Sequence, residues 1–151
     1  MATIKVSNQF PAPVDEVFRY FTDLERAPLH VSAISKIEKL TSGPFGLGTR
    51  WRETREVMDV ADMADMEVTA FEPDRSYTIT HVKAGVRMDA VFTFEPSKDG
   101  TTVSIEFELG RGELPIGWLS DTVSWAIGSK VRRVLNEDLS DVKRSMNIGV
   151  P

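Results

Sequence analysis

The segment that begins at Arg50 carries the residue types best suited to chemistry. It reads RWRETREV over residues 50–57, and a strand with a period of two places Trp51, Glu53 and Arg55 on one face. If the aromatic Trp51 faces the interior, two opposite charges enter the interior with it. Arg55 can then bind a carboxylate or polarise a carbonyl group, and a buried Glu53 can act as a general base. The alternative is an ion pair at the open end of a sheet, which contributes little to function.

His81 is a second candidate for the interior, because it shares a strand face with Tyr77 and Ile79. An imidazole in that position can titrate near neutral pH or hydrogen-bond to a ligand oxygen. A single histidine on a mostly apolar face is more often a structural residue, and both interpretations stay open. If a reaction takes place at all, the catalytic candidates are Arg55, Glu53 and His81.

Three aspartates recur at every third position, as Asp59, Asp62 and Asp65. A calcium loop needs a glycine turn and a terminal bidentate glutamate, which this segment lacks, so we expect a solvated acidic hairpin tip. The two histidines, His30 and His81, have no carboxylate cluster near them in sequence, and no metal site is predicted. The interleaved methionines either fill the core or line a cavity mouth: Met58, Met63 and Met66.

Composition excludes several classes of protein. Hydrophobic residues at 41% and charged residues at 27% are typical of a folded globular chain and not of a disordered one. The net charge of -5 gives no reason to expect a nucleic acid partner. The chain has no cysteine and no long apolar stretch near its start, so we expect a cytoplasmic protein without integral membrane association. No nucleotide loop, zinc ligand set or haem attachment sequence occurs, and no cofactor is predicted.

The elements that must position these residues follow from periodicity. Residues 4–10 alternate as a strand, residues 14–21 have helical spacing after a Pro-Ala-Pro break, and residues 23–31 form a second short helix or an irregular turn. Short links between the later strands predict an antiparallel meander. The six strands that follow the short helices are expected in residues 34–40, 50–57, 66–71, 76–82, 87–94 and 103–109.

Residues 119–146 carry apolar side chains at spacings of three and four, which predicts one long amphipathic helix. About 30 residues give a length of about 45 Å, against about 30 Å for a strand here, so the sheet has to curl around the helix. Gly128, inside this helix, indicates close approach of a neighbour or ligand, or a local bend. Small residues on the expected inner faces leave room between sheet and helix: Ala70, Ala90, Ala126, Gly128 and Ser129.

This order of elements is that of the helix-grip fold, and five segments carry a family resemblance as well. They read FPAPVDEVF from Phe10, TDLE from Thr22, GPFGLGTRWRET from Gly43, FEPDR from Phe71 and FTFEP from Phe92, with Gly100-Thr101 following. Over essentially its whole length the chain resembles small bacterial members of the START-like (SRPBCC) superfamily, often described as polyketide cyclase/dehydrase-like. The resemblance implies a single domain over residues 1–151 with an α+β helix-grip (START/Bet v 1-like) fold. In that fold a curved, mostly antiparallel seven-stranded sheet wraps a long C-terminal helix, and two short helices lie between strands 1 and 2.

The resemblance also implies two functions that use the same internal cavity. The first is binding of a small hydrophobic or amphipathic ligand, such as a lipid, a polyketide, or an aromatic or isoprenoid-like molecule. The second is a polyketide cyclase/dehydrase-like enzyme, for which Arg55, Tyr77 and Thr80 are candidate matches. Trp118 and Trp125 lie seven apart and share a helix face, so they line the ligand space, form a homodimer contact or pack against strand ends. The expected ligand contacts are Trp51, Glu53, Arg55, Met66, Tyr77, Ile79, His81, Met88, Phe92, Trp118 and Trp125.

Overall fold

The computed structural model describes residues 3–57, 60–83, 85–109 and 121–147, without the side chains of residues 57, 60 and 121–127. In this part of the chain, seven strands form one sheet in the order β1-β7-β6-β5-β4-β3-β2, and every neighbouring pair is antiparallel. A 3₁₀ turn, Leu24–Arg26, precedes the second helix. The elements in chain order are β1 (Thr3–Phe10), α1 (Val14–Thr22), α2 (Ala27–His30), β2 (Ile34–Lys39), β3 (Arg50–Val57), β4 (Val60–Glu72), β5 (Ser76–Lys83), β6 (Val86–Ser97), β7 (Gly100–Leu109) and α3 (Asp121–Asn147). This architecture confirms the predicted helix-grip fold.

Helix α1 closes one end of the curved sheet with aromatic side chains. Its apolar residues fall at helical spacing, its first turn carries Asp15 and Glu16, and Val17 and Phe18 are buried. The Phe18 ring contacts Phe94 at a centroid distance of 5.0 Å and Tyr77 at 5.8 Å in edge-on geometry. The rings that meet here form what we call the aromatic cluster, which fills this end of the fold: Phe10, Phe18, Phe21, Phe45, Trp51, Phe71, Tyr77, Phe92 and Phe94.

Strand β4 is longer than predicted, and its acidic residues lie within the ladder. Asp65 is opposite Arg52 and Asp62 is opposite Arg55 in the β3–β4 register. Arg52 pairs with Asp65 at 2.8 Å, and Lys83 of β5 pairs with Asp62 at 2.8 Å. Cross-strand pairs of opposite charge support strand structure here, so the prediction of an acidic hairpin tip is wrong for both residues. Asp59 and Met58 lie outside the described residues.

A bulge in β4 changes which side chains face inward. The register with β5 shifts between Val68 and Ala70, so that Val68 is fully buried while Ala70 is exposed. An extra residue in one strand breaks the two-residue alternation at that point. The placement of Ala70 on the inner face is therefore wrong, and Phe71 packs against the core instead.

Helix α3 lies across the inner face with Leu139 and Val142 buried. A Cβ atom added at Gly128 would lie 3.7 Å from Ile4 Cδ1, an ordinary van der Waals distance, so β1 approaches closely without requiring a glycine. Ser129 is exposed on the outer face of the helix, so its placement on the inner face is wrong. The side chain of Ala126 lies outside the described part of the helix.

The turn between β6 and β7 docks tightly onto the end of β1. A Cβ atom on Gly100 would clash with the carbonyl oxygen of Phe10, so only a glycine fits this approach. The next residue, Thr101, is fully buried, and its hydroxyl donates to the carbonyl oxygen of Ala12 at 2.8 Å. These contacts hold the Pro-Ala-Pro link, and with it the start of α1, against the sheet.

Candidate functional site

The inner face of β3 runs from a packed end to a charged end. Trp51 is 1% exposed and Glu53 is 6% exposed, and Arg55 follows on the same face, as the alternation predicts. The Arg55 Nε donates to Glu53 Oε2 at 2.8 Å. Its Nη1 and Nη2 donate to Asp138 Oδ1 and Oδ2 of α3 at 3.1 and 2.8 Å. Glu53, Arg55 and Asp138, which we call the charged cluster, thus join the sheet to the C-terminal helix.

The charged cluster is mostly withdrawn from water. Its side chains are 8%, 24% and 15% exposed for Glu53, Arg55 and Asp138. Burial raises the pKa of the Asp138 carboxyl; Arg55 opposes this shift, and Glu53 and Asp141 add to it. Burial lowers the pKa of the Arg55 guanidinium, but Asp138 and Glu53 outweigh it and the net pKa is raised. Arg55 is therefore charged at any physiological pH, and two carboxylates share it.

Four predicted ligand contacts line the inner face of β4, β5 and β6, the face of the sheet on which Glu53 and Arg55 also lie. Met66, Ile79, His81 and Met88 are all half-buried. Met66 is opposite Trp51 in the β3–β4 register, and His81 is opposite Met88 in the β5–β6 register. The small Ala90 lies opposite Ile79. Met66, Ile79 and Ala90 pack against the core, and with Met88 they form the apolar part of this face, beside the polar ring of His81.

Three other predicted contacts belong to the packed end. Trp51 and Tyr77 are buried, and the Tyr77 ring stacks on Phe92 at a centroid distance of 4.7 Å. Burial raises the pKa of the Tyr77 hydroxyl, which is neutral at physiological pH. The structure thus separates the predicted contacts into a packed group at α1 and a half-buried group on the inner face of β4, β5 and β6.

His81 and Thr80 point to opposite faces of β5. The ring Nδ1 of His81 lies 3.0 Å from the carbonyl oxygen of Asp65, which fits Nδ1 as the donor. The Thr80 hydroxyl lies on the outer face, 2.7 Å from the Thr69 hydroxyl, and donates to Asp89 Oδ1 at 2.6 Å. The match of Thr80 to a hydroxyl inside the cavity is therefore wrong, because adjacent strand residues alternate between faces.

Asp138 is the member of the site that sequence reasoning missed. It lies three residues after Leu135 and four before Val142, which places it on the apolar stripe of the helix. A carboxylate on an apolar helix stripe indicates a partner of opposite charge in the interior, and this sequence signal could have identified Asp138. Trp118 lies outside the described residues, and Trp125 lies in α3 with its side chain outside them.

The second histidine, His30, links α2 to α3. Its Nδ1 lies 2.7 Å from the Ser145 hydroxyl, and Ser32 donates to Asp141 Oδ2 at 2.7 Å in the same region. Burial lowers the pKa of His30; Asp23 opposes the shift and Arg26 adds to it.

Among the described residues, no group of three or more acidic or imidazole side chains is arranged to hold a metal ion.

Two open grooves on the described surface lie beside α3, with volumes of about 430 and 340 Å³. The larger follows the outer face of the helix from Ser129 to Arg144, and the smaller lies between α2 and α3 beside Leu29 and His30. Their lining residues come from α2, α3 and Ser32 and none comes from the sheet, so neither groove is a cavity between the sheet and the helix.

Comparison with known proteins agrees with this fold. A protein structure from Thermus thermophilus, TTHA0849, shares 20% identity with a TM-score of 0.70, over 95% of this chain and 99% of that chain. Protein MLL2253 from Mesorhizobium loti shares 17% identity with a TM-score of 0.72, over 99% and 100%. The di-domain ARO/CYC StfQ from the steffimycin biosynthetic pathway shares 12% identity with a TM-score of 0.75, over 98% of this chain and 52% of that chain. No curated protein sequence matches the chain.

Two further findings bear on the class of protein. Within the described part of the chain, no helix combines the length and the apolar character needed to cross a membrane. The model of the family described as polyketide cyclase/dehydrase and lipid transport matches residues 1–145. With the helix-grip architecture, this match makes the chain a member of that family within the START-like (SRPBCC) superfamily.

Proposed function

We propose that this chain binds a small hydrophobic or amphipathic molecule in the space between the sheet and α3. The observation that supports the proposal is the half-buried apolar surface of Met66, Ile79 and Met88 on the same inner face of the sheet as Glu53 and Arg55 of the charged cluster. An apolar body would lie on this surface, and a polar end group would face Glu53, Arg55 and His81. The proposal takes residues 1–151 as one cytoplasmic domain, and a homodimer remains an alternative to a monomer.

The energetics of the charged cluster favour a functional role for it. Replacing a buried ion pair by packed apolar residues is often neutral or stabilising, because the attraction between the charges rarely exceeds their desolvation cost. A core that served stability alone would not need Glu53, Arg55 and Asp138 at this position. A binding surface does need a few placed polar groups beside a larger apolar area.

A ligand screen tests the proposal directly. Thermal-shift assays with lipids, aromatic polyketides and isoprenoids, together with native mass spectrometry of the purified protein, should identify at least one bound apolar molecule. Ala90→Leu should weaken that binding, because it fills space opposite Ile79 on the inner face. The matched control is Ala61→Leu, the same change at an exposed residue of β4. The proposal is overturned if no class of apolar compound binds, or if the two variants weaken binding equally.

A second candidate function is favoured by one specific observation at the same site. The buried Asp138 carboxyl combines a raised pKa with a place at the polar end of the proposed ligand space, so it can act as a general acid or base. That combination suits proton transfer during aldol closure and dehydration of a polyketide. Turnover of a linear poly-β-ketone should then fall at least tenfold in Asp138→Asn. Unchanged turnover in that variant and in Arg55→Ala would remove this candidate.

A further inference from the structure

We infer that the polar end of the proposed ligand space selects an amphiphile whose head group donates hydrogen bonds, above all an amine, and rejects a carboxylate. The inference rests on the proposed function and names the ligand class that the charged cluster fits. It reverses the expectation from sequence that Arg55 binds a carboxylate.

The guanidinium of Arg55 already uses most of its hydrogen-bond donors within the protein. A guanidinium has five N–H donors. Three of its nitrogen atoms already donate to Glu53 and Asp138 at 2.8 to 3.1 Å, including a two-bond contact with Asp138. A ligand carboxylate would have to displace one of these carboxylates or lie close to both. The arginine is therefore committed to the protein and is a poor receptor for a third anion.

The carboxylates of Glu53 and Asp138 can accept more hydrogen bonds than Arg55 supplies. An ionised carboxylate offers about four acceptor positions, so Glu53 and Asp138 together offer about eight. Arg55 donates to three of the oxygens, and from the described residues the fourth, Glu53 Oε1, receives only the longer contact from Trp51 Nε1, at 3.4 Å. The charged cluster thus has more vacant acceptor positions than vacant donors. An ammonium group or a hydroxyl group can supply the missing hydrogens.

The charged cluster carries more negative than positive charge. Two carboxylates face one guanidinium, which leaves a net charge of -1 on the charged cluster. The nearby acidic groups do not alter this sum, because Asp141 is paired with Arg144 at 3.3 Å and Asp62 with Lys83 at 2.8 Å. A cationic head group would neutralise the excess charge, whereas a carboxylate would raise it. The low exposure of the charged cluster limits screening of this difference by salt.

A matched series of probes tests the inference: decylamine, 1-decanol and decanoate share one alkyl chain and differ in the head group. Their dissociation constants are measured by calorimetry at pH 7, below the concentration at which each probe forms micelles. We expect decylamine to bind at least tenfold more tightly than decanoate, with 1-decanol between them.

Variants separate the charged cluster from the overall charge of the protein. Asp138→Asn should remove most of the preference for the amine, and Glu53→Gln provides a second test if Asp138→Asn does not fold. The double variant Glu53→Gln/Asp138→Asn leaves Arg55 alone and should prefer decanoate. The matched control is Asp65→Asn, which removes one negative charge from an exposed pair with Arg52 on the outer face and should keep the preference.

Each result has one meaning. Equal or tighter binding of decanoate overturns the inference and leaves the proposed function in place. Binding of none of the three probes overturns the inference; the proposed function fails as well only if the ligand screen also finds no bound apolar compound. If Asp65→Asn changes the preference as much as Asp138→Asn does, the long-range charge of the protein is the cause and the assignment to the charged cluster is wrong.

Discussion

Arg55 of β3 and Asp138 of α3 lie 83 residues apart in sequence and are joined by two hydrogen bonds, of 3.1 and 2.8 Å. The same guanidinium donates to Glu53, two residues before it on β3. One side chain therefore holds the C-terminal helix to the inner face of the sheet and neutralises part of the charge there. The strength of this link, its dependence on pH and its effect on the fold can each be measured.

The first prediction concerns the loss of the arginine. Arg55→Met leaves Glu53 and Asp138 buried without their cation, and removal of one partner from a buried ion pair costs about 3–5 kcal/mol. The free energy of unfolding from urea titrations at pH 7 should fall by about that amount. The loss should shrink at pH 5, because burial raises the pKa of Asp138 and, without the opposing Arg55, this carboxyl binds a proton more readily in the folded variant.

The control for this prediction is Arg52→Met on the opposite face of the same strand, where Asp65 is exposed to water. Removing an exposed ion pair changes stability little. A similar loss of stability in both variants would contradict the assignment of a special role to Arg55.

The second prediction concerns the pH dependence that Asp138 contributes. Its folded pKa is raised above 3.8, so between 3.8 and the raised value the folded protein holds a proton that the unfolded chain has lost. The contribution of Asp138 to stability is therefore complete below pH 3.8 and is lost as pH rises through its folded pKa. The Asp138→Asn variant has no titrating group at this position. Its free energy of unfolding should therefore increase relative to that of the wild type as pH rises through this window.

Urea titrations of both proteins from pH 3.5 to 7 measure that difference. Most other carboxyls contribute equally to the free energy of unfolding of both proteins, so their contributions cancel in the difference. Among the described residues, the charged groups that act on Asp138 are Arg55, Glu53 and Asp141. If instead the free energy of unfolding of the wild type increases relative to that of the variant as pH rises, then the effect of Arg55 outweighs that of burial and the pKa of Asp138 is lowered.

The third prediction concerns the contact between α2 and α3. The pKa of His30 lies below its usual value of 6.5 because burial disfavours the charged ring. NMR titration of the ring protons should give a midpoint below 6.5. Since the folded state holds the neutral ring, the contribution of His30 to stability is present above pH 6.5 and is lost as pH falls through its folded pKa.

A variant tests whether the contact with Ser145 takes part. The hydroxyl lies 2.7 Å from His30 Nδ1, so Ser145→Ala removes a hydrogen-bond partner while the ring stays between α2 and α3. The midpoint should remain below 6.5 in this variant, because burial is the main cause of the shift. A midpoint at or above 6.5 in the wild-type protein would contradict the buried placement of His30.

Most of the fold could be predicted from the sequence because its signals are local. Alternation along β3 identified the inner positions of Trp51, Glu53 and Arg55, and helical spacing identified α3. The placement of Ala70 failed because a bulge adds a residue to the strand, and no change in residue type marks that position. Local patterns thus identify the helices and strands, and they identify the inner and outer faces of a strand as long as no bulge shifts its register.

The candidate site was less predictable because its decisive contact is long-range. Arg55 was a clear candidate, but nothing on β3 indicates that its partner lies on the last helix. The number of partners decides the chemistry, since one carboxylate would leave a neutral pair and two leave a net negative charge. Distances between distant segments were needed to reach that conclusion.

The last prediction compares two glycines that the sequence could not tell apart in importance. A Cβ atom at Gly100 would clash with the Phe10 carbonyl oxygen and lie 3.0 Å from the Ala12 nitrogen, so Gly100→Ala has to push the turn away from β1. At Gly128 the nearest described atom outside the helix would be Ile4 Cδ1, at 3.7 Å from the added Cβ, which is a normal contact. Alanine in a helix interior is about 1 kcal/mol more favourable than glycine.

Gly100→Ala should therefore lower the free energy of unfolding by more than about 1 kcal/mol, and Gly128→Ala should raise it by up to about 1 kcal/mol. Urea titration of both variants measures the two effects with opposite signs. If Gly128→Ala destabilises the protein instead, the helix needs its glycine for a local bend. Weaker ligand binding without a loss of stability in this variant would instead indicate a ligand that lies close to Gly128.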